Sequence, residues 1–64
     1  MLQTILFRKD KWRKSKALKW LKDRNLKYDV DETDRFYRFR QTRPQVNKKY
    51  HTITKDGIDF VFMI

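Results

Sequence analysis

The chain has 64 residues, a net charge of +9, no cysteine and a single histidine, and 16% of its residues are aromatic. This length allows one small domain, residues 1–64, without disulfides. One histidine and one glycine offer no metal cluster, no Ser-His-Asp or Cys-His arrangement and no phosphate-cradling loop, so we expect neither an enzyme nor a cofactor.

The charge is divided into blocks along the chain. Residues 1–27 hold ten Lys/Arg against two Asp, residues 28–34 hold four acids, and residues 35–49 hold six Lys/Arg and no acid. Such a field attracts polyanions: nucleic acid, an anionic membrane surface or an acidic protein. No apolar run approaches the ~20 residues of a membrane span. The apolar start lacks a basic leader, so we expect no secretion but a virion or a host cytoplasmic or nuclear location.

The first half of the chain predicts a strand and a helix. Residues 2–7, LQTILF, have apolar side chains on both faces, which is typical of a central strand. Residues 13–24 have the period of an amphipathic helix, and Asn25 is the predicted stop. Its apolar face is formed by Ala17, Trp20 and Leu21. Its lysine-rich face is formed by Lys16, Lys19 and Lys22.

The second half predicts strands. Residues 35–41, RFYRFRQ, are rich in the aromatic side chains that favour a sheet, and Pro44 is expected to end this strand. Residues 50–63 predict a hairpin, because Asp56-Gly57 is a strong two-residue turn signal. A short strand near residues 27–30 is a weaker prediction. The fold class is therefore α+β: a β-α-β-β-β order, with a small antiparallel or mixed sheet and one amphipathic helix packed on one face.

An acidic cluster separates the two basic blocks. It consists of Asp29, Asp31, Glu32 and Asp34. A divalent cation is one interpretation, but calcium-ligand spacing and the glycine of such loops are missing. We therefore expect no metal site, and we favour the interpretation that these acids neutralise nearby arginines. The sequence leaves open whether Arg38 and Arg40 are free or paired with Asp31, Glu32 and Asp34.

Basic and aromatic residues together form a candidate nucleic-acid site. Its predicted members are Lys14, Lys16, Lys19, Lys22, Phe36, Arg38, Arg40 and Arg43. Arginines would contact phosphates and Phe36 would stack on a base. Lysines provide charge without shape, which predicts salt-sensitive binding that is indifferent to sequence. The alternative is that both sets form ordinary solvated faces.

Several motifs in order along the chain resemble a known family. They are Trp12, Ala17, Trp20-Leu21-Lys22, Asp31-Glu32-Thr33-Asp34, Arg38-Phe39-Arg40-Gln41, Pro44, Thr52-Ile53-Thr54 and Gly57-Ile58. The pattern is similar to a short domain of tailed-phage head proteins, including some fused to prohead proteases, and to small basic proteins of large DNA viruses. The resemblance covers almost the whole chain and implies a viral, virion-associated protein. It implies no particular functional residues.

Two functional hypotheses follow. In the first, a small non-enzymatic viral protein binds nucleic acid non-specifically through phosphate contacts. In the alternative, a minor capsid or assembly component docks an acidic viral protein. The apolar ending FVFMI motivates this alternative, because an exposed edge strand can extend a partner's sheet or self-associate. An inhibitor of a host defence complex is a third candidate, which fits the size and the viral resemblance but no particular residues.

Overall fold

The computed structural model describes residues 1–43, 45 and 48–64, and within them it has one helix and five strands. The elements are β1 (Leu2–Arg8), α1 (Lys14–Asp23), β2 (Val30–Glu32), β3 (Phe36–Arg40), β4 (Tyr50–Lys55) and β5 (Ile58–Met63). The strands form one sheet in the order β2-β3-β1-β5-β4, and every neighbouring pair is antiparallel. This confirms the predicted α+β fold. The predicted role of Pro44 lies outside the described residues.

Strand β1 is central, as its apolar residues on both faces predict. Ile5 and Phe7 are fully buried beneath α1, together with Phe39 of β3. The helix contributes Ala17 and Leu21 to this core, also fully buried. The register of β1 against β5 shifts between Leu2 and Thr4, so strict alternation does not extend to the start of the strand.

Aromatic rings fill the space between helix and sheet. The Phe7 ring centroid lies 4.9 Å from that of Trp12 and 5.6 Å from those of Trp20 and Phe39, in edge-to-face arrangements. Edge-to-face pairs place the positive rim of one ring on the negative face of another. Phe7 is therefore the centre of the core, which a chain of this size needs because it has few other buried side chains.

The helix ends where the sequence predicts. Asn25 adopts a left-handed φ of 57°, and its N–H donates to the carbonyl of Lys22 at 3.1 Å. The N–H of Leu26 donates to the carbonyl of Leu21 at 3.0 Å. These two bonds form a Schellman motif, and asparagine tolerates the left-handed conformation that it requires.

The predicted Asp56-Gly57 turn joins β4 to β5. Both residues have positive φ, 55° and 75°, as a two-residue hairpin turn requires. The indole Nε1 of Trp12 donates to the carbonyl of Asp56 at 2.9 Å. A Cβ atom on Gly57 would lie 3.0 Å from the Lys11 side chain. The loop before α1 therefore packs directly on this turn. Position 57 suits glycine for two reasons: its φ is positive, and a side chain there would crowd Lys11.

The short strand β2 begins at Val30, where the predicted strand was expected to end. Residue 27 is held differently, by the buried side chain of Gln41. Its amide Nε2 donates to the carbonyl of Lys27 at 2.8 Å, and its Oε1 accepts from the N–H of Lys27 at 2.9 Å. A side chain thus takes the place of a neighbouring strand at this position.

Candidate nucleic-acid interface

The structure divides the predicted nucleic-acid residues between two surfaces on opposite sides of the molecule. One, the lysine surface, consists of Lys14, Lys16, Lys19 and Lys22 on α1. Because Phe39 points towards α1, its neighbours on β3 point to the other face of the sheet. That face carries the arginine surface, which consists of Arg8, Phe36, Arg38 and Arg40. Arg43 is exposed beyond the end of β3.

Lys16 and Lys19 form the outermost part of the lysine surface. Both are exposed, and the helical period turns them away from the buried Ala17 and Leu21. Within the described residues neither forms an ion pair, although Asp23 lies one turn after Lys19. Their charges are therefore exposed to solvent and to any approaching polyanion.

Lys14 lies on the flank of the helix that faces β2. Its Nζ is 3.0 Å from one carboxylate oxygen of Glu32, and Lys9 Nζ is 3.4 Å from the other. Hydrogen bonds from Lys14 and then from Lys9 hold the pKa of Glu32 below its ordinary value. Part of the charge of Lys14 is thus neutralised within the domain.

The C-terminal end of α1 combines cations with aromatic rings. The Nζ of Lys22 lies 4.9 Å from the centroid of the Tyr28 ring, which is half exposed. The guanidinium of Arg24 lies 3.9 Å from the Trp20 ring and donates to the Trp20 carbonyl at 3.1 Å. These contacts restrict the side chains while leaving their charge unpaired within the described residues.

Two arginines of the arginine surface are paired with acids. Arg38 lies opposite Asp31 in the β2–β3 register, and the two side chains form a hydrogen-bonded ion pair. Arg8 lies 3.8 Å from Asp59, whose carboxylate also accepts a 2.7 Å hydrogen bond from Thr54. This answers the question that the sequence left open for Arg38. Arg40 is exposed and has no ion pair among the described residues.

Phe36 lies between these paired arginines. It is half-buried, sits opposite Arg8 in the register and lies two residues from Arg38 on the same face. The groove of about 600 Å³ at this end of the sheet is lined by Arg8, Lys9, Asp10, Asp34, Arg35 and Phe36. Three of its lining residues are basic and two are acidic, so the carboxylates offset part of the positive charge that a phosphate would meet there.

Sequence reasoning missed two participants. Arg8 was not placed with Arg38, although alternation along β1 already puts Arg8 on the face away from Ile5 and Phe7. Glu32 was not recognised as the partner of Lys9 and Lys14. No local signal identifies that pair, because it depends on how β2 is placed beside α1.

Known proteins do not assign a function to these surfaces. Comparison of the chain with protein-family models, curated proteins and solved structures finds no match. The resemblance to viral head proteins therefore stays a prediction from the sequence. Within the described residues, no helix is long and apolar enough to cross a membrane, and no three His, Cys, Asp or Glu side chains are placed to hold a metal ion.

Proposed function

We propose that this protein binds nucleic acid without sequence preference, through phosphate contacts made by the lysine surface. The observation that carries the proposal is the placement of Lys16 and Lys19. They are exposed on a packed helix and have no acidic partner among the described residues, in a domain of net charge +9. A fixed row of unpaired cations attracts a polyanion more strongly than the same charges paired with carboxylates.

The spacing of the lysines suits a phosphate backbone. Lys16, Lys19 and Lys22 recur about once per helical turn, and a turn rises about 5.4 Å. Duplex DNA carries one charge per about 1.7 Å of axis, so each lysine has a phosphate within reach. Lysine ammonium groups are point charges on flexible stems, and contacts to phosphates carry no sequence information, which is why we expect no sequence preference.

The salt dependence of binding tests this proposal. Three phosphate contacts predict a log–log slope of affinity against salt of roughly −2.7 on duplex DNA. Fluorescence anisotropy with two labelled duplexes of different sequence, and with a single-stranded RNA, measures both slope and preference. We expect similar affinities for the two duplexes. No binding at low salt by the folded protein would refute the proposal.

The biological setting follows from the sequence resemblance alone. If the protein is a virion component, the polyanion is the packaged genome and the protein acts by binding, without catalysis. Nucleic acid recovered with the protein from purified particles would support this setting. Its absence there would leave the binding activity itself to be judged by the salt series.

A further inference from the structure

Strand β4 is an open edge of the sheet. All six of its residues are exposed, and among the described residues it pairs only with β5. The opposite edge, β2, has three residues, two of which are acids. The apolar ending of the chain, which motivated the prediction of edge pairing, forms β5 and lies between β1 and β4. Any strand added on this side of the sheet therefore meets β4.

The outward backbone groups of β4 can be assigned. The N–H of Ile64 donates to the carbonyl of Lys49 at 2.9 Å, so this opposed pair is a hydrogen-bonded one. Bonded and non-bonded pairs alternate in an antiparallel ladder. The residues whose N–H and C=O groups point away from β5 are therefore Tyr50, Thr52 and Thr54.

In the part of the chain that the structure describes, this edge lacks the usual protection against strand pairing. Natural edges are shortened, bulged, or carry proline or several charges. Along β4 the only Lys, Arg, Asp or Glu is Lys55, at the last position. Ile53 and Tyr50 are 48% and 44% exposed, and the exposed Met1 and Ile64 lie beside the Tyr50 end. Apolar side chains and free backbone groups thus occur together on one edge.

We propose that β4 binds an extended acidic segment of a partner protein, which adds to the sheet as a further strand. The charges select the partner: Lys48 and Lys49 precede the strand, Lys55 ends it, and β4 itself carries no acid. Carboxylates opposite these lysines and a β-branched residue opposite Ile53 form favourable cross-strand pairs. Main-chain hydrogen bonds provide affinity and the side chains provide specificity.

A second copy of this chain suits the edge less well. One register that opposes the outward residues, with β4 paired with itself about Thr52, places Lys49 opposite Lys55 of the second copy twice. Like charges directly opposite destabilise a strand pair, and each copy carries +9. The acidic strand β2 of a second copy is occupied, since Asp31 and Glu32 already form ion pairs.

The test uses a labelled synthetic peptide of about eight residues, with glutamate at the positions opposite Lys49 and Lys55 and β-branched residues between them, valine lying opposite Ile53. Thr52→Pro removes one outward N–H. The edge strand tolerates proline at this position because the N–H that is lost does not bond to β5. The matched control, Thr52→Val, keeps the N–H. We expect Thr52→Pro to weaken peptide binding at least about tenfold and Thr52→Val to leave it within about twofold. Affinity for DNA should be unchanged in both, so this result is independent of the lysine surface.

Amide hydrogen exchange on the unmodified protein gives a second readout that needs no variant. Peptide should slow exchange at Tyr50, Thr52 and Thr54 and leave His51 and Ile53 unchanged, because those two amides already bond to β5. Equal peptide affinity of Thr52→Pro, uniform protection along the strand, or no binding by the unmodified protein would overturn the proposal. A dimer that Thr52→Pro abolishes and the peptide does not displace would also overturn it, by making a second copy the occupant.

Discussion

Both sides of the molecule carry basic residues, but on one side they lie on the helix α1 and on the other they lie on the strands of the sheet. Under α1 the sheet is covered by buried apolar side chains, and the lysines lie on the far side of the helix. On the other face, Arg8 and Arg38 rise directly from the strands, beside Asp59 and Asp31 on neighbouring strands.

This difference shows that the number of basic residues on a surface does not give the number of positive charges left unpaired there. The register of a sheet brings acids and bases from separate parts of the chain into opposition, and their charges are then used within the domain. The outer face of a single helix offers no such opposed strand. Lys16 and Lys19 therefore have no ion pair among the described residues.

The largest effect is expected where α1 docks. Phe7→Ala removes a fully buried ring that contacts Trp12, Trp20 and Phe39. The expected loss of about 3–5 kcal/mol equals most of the net stability of a domain this small. Circular dichroism with urea unfolding should show a largely unfolded protein at room temperature.

Leu6→Ala is the matched change on the other face. Leu6 is half-buried and is the neighbour of Phe7 on β1. We expect the free energy of unfolding to fall by about 1–2 kcal/mol, because folding buries less apolar surface of Leu6 than of Phe7. Equal destabilisation by the two variants would show that the helix-covered face is not the main core.

The elements of this core follow from the sequence because their signals are local. The period of Ala17 and Leu21, the stop at Asn25 and the Asp56-Gly57 turn each depend on a few neighbouring residues. The hydrogen bonds between the Gln41 side chain and the Lys27 backbone do not follow in this way, because the two residues are fourteen positions apart.

A third variant removes one of the two ion pairs on the arginine surface. Asp31→Asn leaves Arg38 without its carboxylate. If this frees one phosphate contact, affinity for duplex DNA should rise up to about eightfold at about 0.1 M salt. Asp34→Asn is the control, since Asp34 is exposed and has no ion pair among the described residues. Identical gains from both variants would mean that only net charge matters.

The smallest effect concerns acid stability. The folded pKa of Glu32 lies below its ordinary value of 4.5, so its ion pairs stabilise the fold at neutral pH. That contribution is lost as the pH falls below 4.5 through the folded pKa. Glu32→Gln should therefore lower the urea midpoint slightly at pH 7. In acid, the urea midpoints of the variant and the unmodified protein should become equal. A difference between the two urea midpoints that stays constant as the solution is acidified would contradict this assignment.

The candidate site was only partly predictable for the same reason as the fold. Helical period alone places Lys16 and Lys19 together on an outer face. The pairing of Arg38 with Asp31, and of Lys14 with Glu32, depends on the position of β2 beside β3 and α1. A sequence with acids and arginines so close together predicts that some pair, but not which arginines remain free.

The most direct test compares two variants that each remove two charges from +9. Lys16→Gln with Lys19→Gln alters the lysine surface, and Arg8→Gln with Arg38→Gln alters the arginine surface. For the lysine variant we predict roughly 50-fold weaker binding to duplex DNA at about 0.1 M salt and a slope shallower by about 1.8. For the arginine variant we predict a change of less than about threefold. Equal losses, or the larger loss in the arginine variant, would contradict the account.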